Sequence, residues 1–91
     1  MQQLELQNFR KKFDQIDYQI LELLNQRNKL SKKTAELKKQ NNLPIQDRER
    51  EVQIFKDIEQ KAEKLQLDKK FINQIFKVII KNSRNTQNGK H

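Results

Sequence analysis

The sequence has no cysteine and no tryptophan, and only one glycine, one proline and one histidine in 91 residues. Each scarcity excludes something. Without Cys there is no disulfide framework, no thiolate nucleophile and no zinc–cysteine site. The single His is His91, at the chain end, so neither a histidine triad nor a histidine metal site is expected. One Gly, Gly89, cannot build a glycine-rich phosphate loop. No apolar run reaches the length of a membrane span, and the first residues lack the apolar stretch of a signal peptide. The expectation is a cytoplasmic protein with no metal and no membrane partner. The length allows one small domain, covering residues 1–91. With Met1 at one end and an ordinary tail at the other, no fused neighbour is expected.

What is present is charge. Lys and Arg number 20 against 12 Asp and Glu, a formal net charge of +8. That balance suggests an anionic partner without naming one. The lack of Gly and Pro before residue 88, Pro44 apart, predicts long helices with few turns. Phe9, Phe13, Ile16, Ile20, Leu23, Leu30 and Leu37 fall at alternating spacings of three and four. Filling the gaps in that alternation gives Arg27 and Thr34. One helix is predicted over about 4–40, about 50 Å long. So long a helix exceeds what the remaining fifty or so residues can cover. Its seam is expected to pack partly on another chain, and a homodimer is the economical solution. Asn41, Asn42 and Pro44 mark the first break. Asp47 is the predicted N-cap of a second helix over about 47–66, with Ile54, Phe55, Ile58, Ala62 and Leu65 on one face. Asp68 caps a third over about 69–87, with Phe71, Ile72, Ile75, Phe76, Ile79 and Ile80. Residues 88–91 read as a frayed tail. The fold class is all-α: one long helix and two shorter ones.

The apolar stripes carry polar interruptions. Arg27 holds a seam position, and Lys38, eleven residues on, faces nearly the same way. The second helix's stripe runs back through Glu51 and Asp47. The third runs forward through Ser83 and Gln87. Each alone has a plain structural explanation: a register device, a snorkelling edge residue, a cap, or a helix leaving the core. Together they are chemically complementary, and make a pocket for a small anion bearing a hydroxyl. Buried charges left unpaired cost several kcal/mol or more. Lysine outnumbers arginine 15 to 5. In such a chain each Arg is a candidate for bidentate carboxylate binding. The five are Arg10, Arg27, Arg48, Arg50 and Arg84. Arg10 lies about 25 Å from Arg27 along one helix. It reaches a shared small ligand only across a dimer of antiparallel long helices, and is otherwise a solvated first-turn residue.

Three stretches carry a resemblance: FRKKFDQIDYQILELLNQRNKL, then AELKKQNNLPIQDRERE, then FINQIFKVIIKNSRNTQ. With Ile16-Asp17, Arg27, Lys38, the D-x-x-R-E of Asp47, Arg50 and Glu51, and Ser83 and Gln87, the chain resembles the all-helical chorismate mutase family, the AroQ class, over about residues 6–88. The resemblance implies an intertwined homodimer with two active sites, each drawing on both chains. It implies the Claisen rearrangement of chorismate to prephenate, without a cofactor. Arg27 and Arg10 of the other chain would bind the two substrate carboxylates. Lys38 and Gln87 would donate to the ether oxygen, and Lys38 would also reach a carboxylate. Glu51 would accept from the ring hydroxyl, helped by the Asp47 backbone. Arg50 and Ser83 would complete the carboxylate surroundings. The background departs from the family in its richness in Lys, Asn and Gln.

Two other functions compete. An isochorismate-pyruvate lyase shares the fold and much of the cationic pocket, but the complete D-x-x-R-E segment with Glu51 favours the mutase. A basic helical module for nucleic acid is favoured by the +8 charge. It is opposed by the interleaved acids and by Phe residues confined to core stripes, so no nucleic-acid partner is expected. Association with another aromatic-pathway enzyme is a third possibility.

Overall fold

The computed structural model describes residues 2–89. It holds three helices, α1 (Gln2–Gln40), α2 (Arg48–Lys64) and α3 (Lys69–Gln87), and no strand among the described residues. The predicted architecture of one long and two shorter helices is the one observed. The tail positions 90 and 91, with the terminal histidine, lie outside the described residues.

The punctuation follows the sequence. Asp47 adopts extended dihedrals and its carboxylate accepts from the Arg50 amide at 3.0 Å. Asp68 does the same for Lys70, also at 3.0 Å. Each satisfies one of the orphan amides of a first helical turn. The helix ends are closed by a recurring device. At the end of α1, Asn42 has φ 55°, the Leu43 amide returns to the Lys38 carbonyl at 2.8 Å, and the Asn42 amide reaches that of Lys39. At the end of α2, Gln66 has φ 58°, the Leu67 amide returns to Ala62 at 2.8 Å, and the Gln66 amide reaches Glu63. Both are Schellman closures, which need one left-handed residue. Asn suits that position; Gln is an uncommon choice. Leu65, expected on the face of α2, is instead its C-cap and stays exposed. Gly89, just past the Asn88 C-cap of α3, supplies a third left-handed residue.

The chain divides into two compact units, one up to Leu30 and one from Ser31 onward. The first is the greater part of α1. Its seam residues Phe9, Phe13, Ile16, Ile20, Leu23 and Leu30 are all exposed. The second contains the last turns of α1 together with α2 and α3, which pack on each other. Its buried apolar residues, among those described, are Ala62 and Ile80. Ser31 and Thr86 are buried beside this small core. No helix among the described residues is long and apolar enough to cross a membrane.

Candidate active site

The second unit gathers polar groups from all three helices. Lys38 is their centre. Its Nζ donates to the backbone carbonyl of Ile45 at 2.6 Å and to Oε1 of Gln87 at 2.9 Å. The Schellman closure explains the first contact. The Lys38 carbonyl takes the Leu43 amide, so the chain folds back over the last turn of α1 and brings Ile45 within reach of the ammonium. Gln87 is the last residue of α3. With its oxygen facing Lys38, its amide NH2 keeps its donors for another acceptor. An ammonium carries three donors, and two are engaged here.

One turn before Gln87 on α3, Ser83 shares a hydrogen bond with Ser31 at 2.6 Å, with Ser31 buried. It ties α3 to the last part of α1. Glu51, in the first turn of α2, sits 3.5 Å from Nε of Arg84 on α3. The α2 N-terminus favours a carboxylate at that position. Asp47 and Arg50 are exposed, and Asp47 is occupied as the cap of α2.

Thus Lys38, Glu51, Ser83 and Gln87, singled out from the sequence, come to lie on the second unit at the ends of their helices. Arg10 and Arg27 belong to the first unit. Arg10 is exposed. Arg27 is half-buried, and its Nε is shielded with no hydrogen-bond partner among the described residues. No group of acidic or histidine side chains among the described residues could hold a metal ion.

Three participants were not placed in the site by the sequence, although Arg84 was among the five arginines suited to carboxylate binding. Ser31 lies four residues after Arg27 and seven before Lys38, and Arg84 lies four after Ile80 and three before Gln87. Both spacings are helical-face signals. The third, the Ile45 carbonyl, is backbone and has no signature in residue type.

The arrangement presents cations and neutral donors, with one carboxylate set apart against its own arginine. It suits a small, oxygen-rich anion. The type II chorismate mutase family model matches residues 9–88. A chorismate mutase of Methanocaldococcus jannaschii is 37% identical over 83 residues, which cover 91% of this chain and 84% of that protein. A bifunctional chorismate mutase/prephenate dehydratase of Aquifex aeolicus is 52% identical over 54 residues, 59% of this chain and 15% of that protein. A protein of the same description from Buchnera aphidicola is 37% identical over 79 residues, 87% of this chain and 21% of that protein. The chain therefore spans most of the archaeal protein and a fifth or less of the length of the Aquifex one. With the match running from Phe9 to Asn88, through every side chain that builds the site, the chain belongs to the type II chorismate mutase family.

Proposed function

We propose that the chain is a cytoplasmic chorismate mutase, a single domain over residues 1–91 that works as an intertwined homodimer with two shared sites. It rearranges chorismate to prephenate on the route to phenylalanine and tyrosine. The observation that carries this reading is the Lys38–Gln87 hydrogen bond, 2.9 Å long. It brings a cation and a neutral amide together with donors to spare, which is what a breaking ether bond requires.

The rearrangement is unimolecular and pericyclic. No nucleophile attacks and no proton moves. The barrier falls by two means: holding the flexible substrate in its reactive chair, and stabilising the charge that grows on the ether oxygen as the C–O bond lengthens. Two fixed guanidinium groups would serve the first. Arg27 would take one carboxylate and Arg10 of the other chain the second, so that binding supplies ordering entropy in advance. The shielded Nε of Arg27 supports this role, because a buried donor without an acceptor is costly and a ligand carboxylate would satisfy it. Lys38 and Gln87 would serve the second. Their donors face a charge that exists fully only in the transition state, so they bind it better than the ground state. Glu51 would accept from the ring hydroxyl with the Asp47 backbone beside it, while Arg50 and Ser83 line the carboxylate end.

The exposed seam of the first unit supports the dimer. Phe9, Phe13, Ile16, Ile20 and Leu23 form a heptad-like stripe whose burial in this chain alone is slight. An antiparallel second copy would cover it and bring Arg10 toward Arg27.

The test is direct. Purified protein is given chorismate and, separately, isochorismate, and the products are identified. Prephenate from the first with little pyruvate from the second is expected. Pyruvate and salicylate from isochorismate, without prephenate from chorismate, would make the chain a lyase of the same fold.

A further inference from the structure

We propose that Arg84 is a positioning residue for this reaction: it neutralises the Glu51 carboxylate and fixes one of its oxygens, leaving the other for the ring hydroxyl of the substrate. The proposal rests on the reading of Glu51 given above.

Arg84 Nε lies 3.5 Å from Oε2 of Glu51 and links the first turn of α2 to the last part of α3. Glu51 is the more enclosed of the two, with its side chain 21% exposed against 38% for Arg84. A carboxylate with restricted access to water needs a counter-charge. The Arg84 Nε is itself shielded and makes no hydrogen bond among the described residues. The two groups therefore meet as charges, at a separation that leaves room to close into a hydrogen bond when the carboxylate is engaged. On α3, Arg84 follows Ser83 and precedes Gln87 by one turn, so it sits inside the proposed site.

The chemistry explains why an arginine is useful there. Chorismate is a dianion. A bare Glu51 carboxylate would repel it while accepting from its hydroxyl. Paired with a guanidinium, the carboxylate keeps its acceptor oxygens and loses its net charge. The guanidinium, approaching one carboxylate oxygen through Nε, also biases the carboxylate's orientation.

The experiment is a double-mutant cycle on the full chain, with chorismate as substrate. Arg84→Met keeps the apolar stem and removes the charge. It is expected to raise KM about tenfold and to leave kcat within about threefold, because the hydroxyl contact is made in ground and transition states alike. Glu51→Gln should raise KM on its own, and adding Arg84→Met to it should then change KM by less than about twofold. Arg84→Lys should recover part of the loss. A residue that served only to pack α2 on α3 would lower the melting temperature and act equally in both backgrounds, which would overturn the proposal. So would a wild-type KM for Arg84→Met. Wild-type kinetics for Glu51→Gln would remove the hydroxyl role of Glu51, and the role of Arg84 with it. If Arg84→Met does not fold, the cycle is run with Arg84→Lys, whose KM change must vanish beside Glu51→Gln.

Discussion

Lys38 is held at both ends by a single turn. Its carbonyl accepts the Leu43 amide and its ammonium donates to the Ile45 carbonyl. A lysine side chain normally gives up much rotamer freedom when it is ordered. Here the backbone turn does the ordering before any substrate arrives. Lys38→Ala is accordingly expected to lower kcat about 10²–10³-fold, the scale of losing one charge-stabilising donor. Steady-state rates with chorismate check this, and an activity within tenfold of the parent would refute it. Gln87→Glu is a sharper probe. The ionised carboxylate it introduces would offer acceptors where the transition state needs a donor, and would hold the Lys38 ammonium for itself. The variant should be nearly inactive at neutral pH and regain rate as the pH falls and the carboxyl protonates. A pH-independent variant would contradict the ether-oxygen contact. At this scale Lys38 and Gln87 were legible as polar interruptions of apolar stripes. The Arg84–Glu51 contact was not, because it depends on how α2 and α3 pack across 33 residues of chain.

At the scale of the elements, the helix boundaries were the most legible feature. Two aspartates cap two helices, and both could be read from residue type and position alone. They differ in what lies beside them, and that gives a paired prediction. Asp68→Ala and Asp47→Ala should each cost about 1 kcal/mol of stability. At fixed protein concentration this lowers the melting temperature by about 4–8 °C for a domain of this size. Asp68, at the turn between α2 and α3, should leave kcat unchanged. Asp47 starts the helix that carries Glu51, so its loss should also raise KM. Thermal melts and kinetics on the same samples separate the two effects, and a normal KM for Asp47→Ala would detach the cap from the site. The Schellman closures were only half legible. Asn42 and Gln66 both fell at predicted helix ends, but only Asn42 could be read as left-handed, since Gln carries no such preference and is placed there by the closing hydrogen bonds.

The molecule as a whole has a very thin interior. Ala62 and Ile80 are its buried apolar residues among those described, while the leucines, isoleucines and phenylalanines of the α1 seam lie in the open. The sequence anticipated this imbalance, because so long a first helix has too little chain left to cover it. It could not supply the register of a second copy, which depends on side-chain fit along the seam. Mixing answers the question. Inactive Arg10→Ala and Arg27→Ala chains, combined under conditions of verified subunit exchange, should regain activity, because one site of each hybrid contains both arginines. No recovery would count against sites shared between chains. The same thin interior has a consequence in time. A monomer that buries so little has little to gain from folding alone, so in the dimer proposed above folding and association would become one event with second-order kinetics. A newly made chain would then spend an interval set by the abundance of its own kind open to proteases. The steady-state level of enzyme would therefore rise more steeply than its rate of synthesis, and weak expression would be penalised twice: once in chains made, and again in chains lost before they meet.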